Sequence, residues 1–334
     1  MSTSTKKVTM AEVAERAQVS KATVSRALAG STLIGPEVRQ QIEEIAEELG
    51  YVRRKVRRHG ERCILTVKLV LPASTNRTRN LFFSLNDLVD GLRQGLSPAG
   101  ANVIVETSSS NFEPFPHKKG GEIEAFVFAF HRPTAAVLET IQSNGAKVVV
   151  LNRVMKNVQQ VINHHRQAMD LVADHLFERG IKGKCCFVSY KGIEEVTRAR
   201  LTALNNAFER LQVPFDKEHD VWIADSPEDV NEDGLKSRVG AGFKTFVSVN
   251  DVAGAFLLQH ARSLNLNPPE DLLITGCDNS PLRALTIPPL TSVDLSMHNL
   301  AREAGKALYQ DIIEGQTVKP LLKVRGKLLP GGTT

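Results

Sequence analysis

Hydrophobic and polar positions follow two different periods along this chain. At the start, Met10, Val13, Ala14 and Ala17 recur at helical spacing and predict one short amphipathic helix. Gln18 and Val19 interrupt it. Ser20 stands where a helix N-cap belongs, because its hydroxyl accepts a free backbone N–H of the turn that follows. A second helix is predicted over 21–28, with Val24, Ala27 and Leu28 facing inward and Lys21, Ala22, Ser25 and Arg26 facing outward. A third is predicted over 36–49, with Val38, Ile42, Ile45, Ala46 and Leu49 on one face, Pro36 in its first turn and Gly50 as its stop.

From Cys63 onward, apolar β-branched runs alternate with amphipathic stretches. Strands are predicted over 64–71, 102–106, 126–130, 147–151, 184–189, 245–249 and 272–276. Helices are predicted over 81–99, 134–144, 167–179, 198–211 and 252–264. This rhythm implies parallel sheets covered by helices. Two such sets in tandem imply two Rossmann-like lobes, with a ligand cleft outside the carboxyl ends of the strands. The stretch 107–121 breaks the rhythm, because its two prolines and paired glycines favour a loop.

Composition sharpens this picture in three ways. The 334 residues are 42% hydrophobic and 5% aromatic, with no run of about 18 apolar residues, so no transmembrane helix is expected. Met1–Met10 is polar and lacks the apolar stretch of a secretory leader, which points to the cytoplasm. Of the net +5, residues 1–62 carry +4, from twelve basic and eight acidic side chains. A basic bias on a helical head is what phosphate attraction uses. The segment 51–62 alone holds Arg53, Arg54, Lys55, Arg57, Arg58 and Arg62. Cys63, Cys185, Cys186 and Cys277 form no C-x-x-C pair and read as reduced cysteines. His164, His165 and His175 lack zinc spacing, and no phosphate-binding loop or nucleophile elbow is present; no metal, cofactor or catalytic residue is expected.

The run from Thr9 to Arg26, T-M-A-E-V-A-E-R-A-Q-V-S-K-A-T-V-S-R, resembles the N-terminal signature of the LacI/GalR family of bacterial transcription regulators. The resemblance continues through V-I-N-H-H-R-Q-A, H-L-F-E-R-G-I, R-A-R-L at 198–201, V-N-D at 249–251, P-E-D-L-L-I-T-G-C-D-N and P-P-L-T-S-V at 288–293. It implies an all-α helix-turn-helix head at 1–50, a basic hinge at 51–62 and a periplasmic-binding-protein-like α/β effector domain at 63–330. Lobe one would comprise about 63–160 with 294–329, and lobe two about 161–293.

The resemblance implies a homodimer on a palindromic operator in double-stranded DNA, most simply a repressor. Lys21, Ala22 and Arg26 would face bases, while Thr9, Ser20, Thr23 and Ser25 suit phosphates or capping. In the family the hinge becomes a helix that wedges a leucine into the minor groove. Here Arg53 replaces the usual Pro, Arg54 the usual Asn and Gly60 the wedge leucine. Arg53, Arg54, Arg57 and Arg58 either follow phosphates and a narrow minor groove or form a flexible basic tether. The family also has a helix where 107–121 reads as a loop.

For the effector, taken to be a sugar or sugar derivative, the resemblance points to Arg200 and Asp278, then to Asp251 and to Asn163, which stands in place of the usual Asp. Phe82 and Phe83 lie near the position of a sugar-stacking aromatic or, equally, belong to the core. The alternatives are a DNA-binding protein of this fold that has lost ligand sensing, or an enzyme or binding protein with a helical head.

Overall fold

A computed structural model describes residues 8–28, 34–51, 58–59, 62–73, 83–97, 99–109, 112–115, 123–316 and 318–334. The chain divides into two compact units, Met1–Ile64 and Leu65–Thr334.

The first unit holds α1 (Met10–Arg16), α2 (Lys21–Leu28) and α3 (Pro36–Glu48). Each starts or stops on a local signal. Thr9 and Glu12 form a capping box: the Thr9 amide donates to Glu12 Oε2 at 2.6 Å, and the Glu12 amide donates to Thr9 Oγ1 at 3.4 Å. Gln18, at φ +56°, makes the turn, and Ser20 Oγ accepts the Thr23 amide at 3.1 Å. Gly50, at φ +67°, ends α3: its N–H reaches Glu47 O, and that of Tyr51 reaches Ala46 O, a Schellman pair. Val13, Ala14, Val24, Ala27, Ile42 and Ala46 form the buried core, flanked by Ile45, Leu28 and Leu49. Val38, expected on the same face, is 40% exposed instead. The core that the two preceding helices cover takes in α3 only from Ile42 onward.

The basic segment leads into β1 (Arg58–His59), which pairs antiparallel with the start of β2 (Arg62–Pro72) in the register Arg58↔Cys63 and His59↔Arg62. At Arg58 and His59 the chain is therefore extended rather than helical. Arg53, Arg54 and Arg57 lie outside the described residues.

The second unit continues with α4 (Leu85–Leu96), β3 (Gly100–Ser108), β4 (Ala125–Ala129), α5 (Ala135–Ser143), β5 (Lys147–Leu151) and β6 (Gln159–Asn163). Next come α6 (His165–Arg179), β7 (Lys184–Tyr190), α7 (Glu194–Arg210), β8 (Val221–Ala224), α8 (Glu232–Gly240), β9 (Phe243–Ser248), α9 (Asp251–Ser263) and β10 (Leu273–Thr275). The chain finishes with β11 (Ser292–Asp294), α10 (Met297–Tyr309), β12 (Leu321–Val324) and β13 (Lys327–Leu329).

Two sheets result. Lobe one runs β2-β4-β5-β6-β12 with every pair parallel, and β3 also joins β2. Lobe two runs β10-β9-β7-β8, also parallel. Every residue of β4 is buried, as an unbroken apolar strand covered on both faces must be. The apolar pattern missed β6, β11, β12, β13 and α10, as well as β8, an edge strand with Ile223 exposed, and α8, which buries only Leu235 among its apolar positions.

The lobe boundaries differ from those expected. The chain leaves lobe one after β6, not within it, since β6 pairs with β5 and β12. It also crosses three times. After β12, strand β13 returns to pair antiparallel with β11, and the tail lies on lobe two, where Thr333 exchanges backbone and hydroxyl bonds with Ile274. The tail is buried there, with Thr333 at 0% exposure.

Helix α10 seats on α4 backbone to backbone. A Cβ on Gly91 would stand 2.2 Å from the His298 carbonyl oxygen, and one on Gly95 2.1 Å from that of Arg302. Around the break in the rhythm, residues 109 and 112–115 are not helical. Phe112 and Phe115 instead stand edge-on to Phe128 and Phe126 and cover that part of the sheet. The same loop holds the buried Lys68, whose ammonium meets Glu106 at 2.6 Å and the Pro114 carbonyl at 3.3 Å. No helix among the described residues is long and apolar enough to cross a membrane.

Candidate functional site

At the carboxyl ends of the strands the two lobes enclose a cavity of about 210 Å3. Lobe one contributes Pro72, Ala73, Phe130, Asn152, Arg153 and Met297; lobe two contributes Tyr190, Ile193, Val196, Arg200, Asn250 and Asp278. Apart from Arg200, which lies within α7, each polar member sits at or just after the end of a strand, so short loops carry most of the chemistry and the sheets fix its position.

The floor is an ion pair. Arg200, 2% exposed on α7, places Nη2 2.6 Å from Asp278 Oδ1. Its Nη1 donates to the Val249 carbonyl, and its Nε donates to His165 Nδ1 at 3.5 Å. Burial is the largest single influence and works against the guanidinium, but the charge and hydrogen bond of Asp278, together with Cys277 and Asp251, outweigh it and raise its pKa. Asp278 is held at φ +109°, a conformation side chains rarely adopt, by bonds from its amide to Val293 O and from the Asn279 amide to Ser292 Oγ. His165 is pushed down to about 3 by burial first and then by the charges of Arg200 and Arg153, so it is neutral.

Asp251 stands behind this pair and does not line the cavity. It is fully buried; Oδ1 accepts Ser292 Oγ at 2.5 Å and Oδ2 accepts the Ser280 amide at 2.6 Å. Burial, then the charge of Asp278, lifts its pKa to about 7. Asn250 caps α9, its Oδ1 accepting the Ala253 amide at 3.1 Å, while its Nδ2 donates to Tyr190 Oη at 2.7 Å.

Across the cavity, Arg153 follows β5. Its Nη1 donates to the Asn152 carbonyl at 2.7 Å, and its Nε stands 4.0 Å from Glu195 Oε2. That carboxylate oxygen is already taken by Arg132 Nη2 at 2.6 Å, and Oε1 accepts the Val154 amide at 3.3 Å. Glu195, from α7 of lobe two, thus grips two loops of lobe one beside the cavity.

Of the six effector candidates, the structure brings Arg200 and Asp278 together on the cavity wall. Asp251 backs them as a structural anchor. Asn163, 1% exposed, lies off the wall: its backbone N–H donates to Asn152 Oδ1 at 3.2 Å, and neither end of its side-chain amide has a protein partner. Phe83 does not line the cavity either, but its ring packs 5.0 Å from that of Phe130, which does. Phe82 lies outside the described residues. Sequence reading missed Arg153, Asn152, Tyr190 and Asn250. The signal for them was positional, since each lies within two residues of a strand's carboxyl end.

On the head, Lys21, Ala22, Ser25 and Arg26 fall on α2, where only their backbone is described. The hydroxyls of Thr9, Ser20 and Thr23 are engaged locally: Thr9 with Glu12, and Ser20 with Thr23 at 2.8 Å. Cys185, Cys186 and Cys277 are buried free thiols, and burial raises all three, the first two to about 12. The side chain of Cys63 lies outside the described residues.

Comparison with known proteins gives matches to both units. Residues 9–54 match the lacI family of bacterial regulatory proteins, and residues 173–334 match the periplasmic binding protein-like domain. The chain is 23% identical to catabolite control protein A of Staphylococcus xylosus, over 98% of this chain and 99% of the relative. Its fold is similar to that of the transcriptional regulator CelR in its cellobiose complex, with a TM-score of 0.64, 21% identity and 98% and 100% of the two chains covered. It is similar also to the Lac repressor dimer bound to operator and the anti-inducer ONPF, with a TM-score of 0.61, 17% identity and 98% and 99% coverage.

Proposed function

We propose that this chain, matched over residues 9–54 by the lacI family of bacterial regulatory proteins and over 173–334 by the periplasmic binding protein-like domain, is a DNA-binding transcriptional regulator rather than an enzyme, and that it is a sequence-specific repressor, released or engaged by a sugar-like metabolite bound between its lobes. The observation that carries this reading is the cavity itself. It joins both lobes and is floored by the Arg200–Asp278 ion pair, so a ligand there touches groups on both sides of the cleft. A ligand acts on DNA binding only through a difference in affinity between two arrangements of the protein. A cavity with a polar wall on each lobe is a place where such a difference would arise. The intact floor speaks against a regulator that has lost its sensor.

In this reading the protein works in the cytoplasm as a homodimer on a palindromic operator. Two large side chains on one loop, Leu285 at 77% exposure and Ile287 at 70%, suit a dimer face. Lys21, Ala22 and Arg26 read bases, and Thr9, Ser20, Thr23 and Ser25 position the helix against phosphates. Arg53, Arg54, Arg57 and Arg58 add sequence-independent affinity. Arg200 and Asp278 orient the effector, with Asp251 and Asn163 behind them and the Phe83–Phe130 pair shaping the wall.

Selection of bound sequences from a random double-stranded DNA library tests the reading. The expected result is an enriched palindrome of two half-sites. Salt-sensitive binding without any enriched sequence overturns sequence-specific repression.

A further inference from the structure

We propose that the cavity selects an anionic ligand, a phosphorylated or carboxylated monosaccharide, and that Arg153 is the residue that recognises the anion. The proposal rests on the effector reading above and narrows it to one ligand class.

The argument starts from charge balance around the cavity. Its lining holds two guanidinium groups, Arg153 and Arg200, and one carboxylate, Asp278. Arg200 and Asp278 are committed to each other at 2.6 Å. That leaves Arg153. Its side chain is 18% exposed, and its carboxylate neighbour, Glu195, stands at 4.0 Å with the nearer oxygen held by Arg132. A guanidinium stays charged under all ordinary conditions. Half-buried and under-neutralised, it carries a desolvation cost that a second carboxylate or a phosphate would offset. Planar, forked donors suit such an anion better than a hydroxyl.

The surrounding groups report the same positive field. Burial leads in lowering the pKa of both His165 and His131, and in each case the charge of Arg153 adds to the lowering. Burial also lowers Arg153 itself, and the neighbouring Arg132 adds to that while Glu195 opposes it. The first turn of α7 does not decide the matter, since Glu194 and Glu195 already answer its helix dipole. The rest of the wall suits a sugar body: Tyr190, Asn250 and Asn152 offer hydrogen bonds beside the apolar Phe130 and Met297.

The test uses the full chain and its Arg153→Gln and Arg153→Lys variants in thermal shift and calorimetry. The probes are inorganic phosphate, glucose 6-phosphate, gluconate and glucose. The phosphorylated and carboxylated probes separate the two anion sources. The expected result is that at least one anionic probe stabilises the native protein and binds Arg153→Gln at least about tenfold more weakly, the value of one charged hydrogen bond. Arg153→Lys, which keeps the charge and loses the fork, falls between. Glucose binding as well as the anions, and equally in all three proteins, overturns the proposal and leaves the effector reading intact. No binding by any probe counts against both. A ligand-free measurement stands apart from the panel. Arg153→Gln is expected to match or exceed the native melting temperature, and a drop of several degrees would show a guanidinium already satisfied by the protein, which also overturns the proposal.

Discussion

The head and the two-lobed unit place their polar chemistry in opposite ways. In the head, six small or branched apolar residues form the buried core among the described residues, and its candidate base-reading side chains are carried on one eight-residue helix. In the larger unit, the functional groups are drawn inside: Arg200, Asp278 and Asp251 are all buried, and they come from α7, the loop after β10 and the start of α9. The first arrangement lets a side chain change partner specificity without touching the fold. The second makes each ionic group part of both the fold and the site, so function and stability cannot be separated there.

Three substitutions test that contrast. The largest effect is expected from Arg200→Leu, which leaves the Asp278 carboxylate buried without its partner. It should cost about 3–5 kcal/mol of stability in urea denaturation, together with effector binding. A loss under about 1 kcal/mol would mean the pair is dispensable and the contrast false. Next, Arg26→Ala should relax base preference at one half-site position by about 1–3 kcal/mol while leaving stability within about 0.5 kcal/mol. An equal loss for all DNA sequences would instead make Arg26 a phosphate contact.

The third effect is a pH dependence, small over any one pH unit. Asp251, raised to about 7 from a normal 3.8, contributes stability at low pH that is lost as pH rises through about 4 to 7. His165, lowered to about 3 from 6.5, does the reverse: its neutral form is favoured in the fold, so stability is lost as pH falls below 6.5. The two slopes oppose each other across their shared range. Asp251→Asn should remove the first alone, so that its stability relative to the native protein climbs from pH 4 to 7 by at most about 1.4 kcal/mol per pH unit. A difference that stays level with pH would place the Asp251 carboxyl in ordinary solvent-like surroundings.

The contrast also explains what the sequence disclosed. A helix-turn-helix is written in one stretch, with its cap at Ser20, its turn at Gln18 and its core at i, i+3 and i+4, so local pattern carried it almost whole. Val38 was the exception, because periodicity names a face but not how far the neighbours cover it. Seven strands of the sheets were legible as apolar runs, whereas β6, β8, β11, β12 and β13, and the helices α8 and α10, were not. The cavity was half legible. Arg200 and Asp278 were reached through family resemblance, but Arg153 and Asn250 carry no spacing signal, since their meaning comes from strands far apart in sequence ending side by side. The return of β13 to lobe two was hidden for the same reason: only pairing in space reveals it.

The glycine seat between α4 and α10 has a consequence for how the chain is made. Roughly two hundred residues separate Leu96 from Met297. At about 5–20 residues per second, a ribosome leaves the seat empty for on the order of 10 to 40 s before its occupant emerges. Lobe one is thus begun first and closed last, and lobe two is synthesised in between. The nascent chain presents the bare face of α4 throughout that interval, which makes it the surface where chaperones and proteases have the longest opportunity to act.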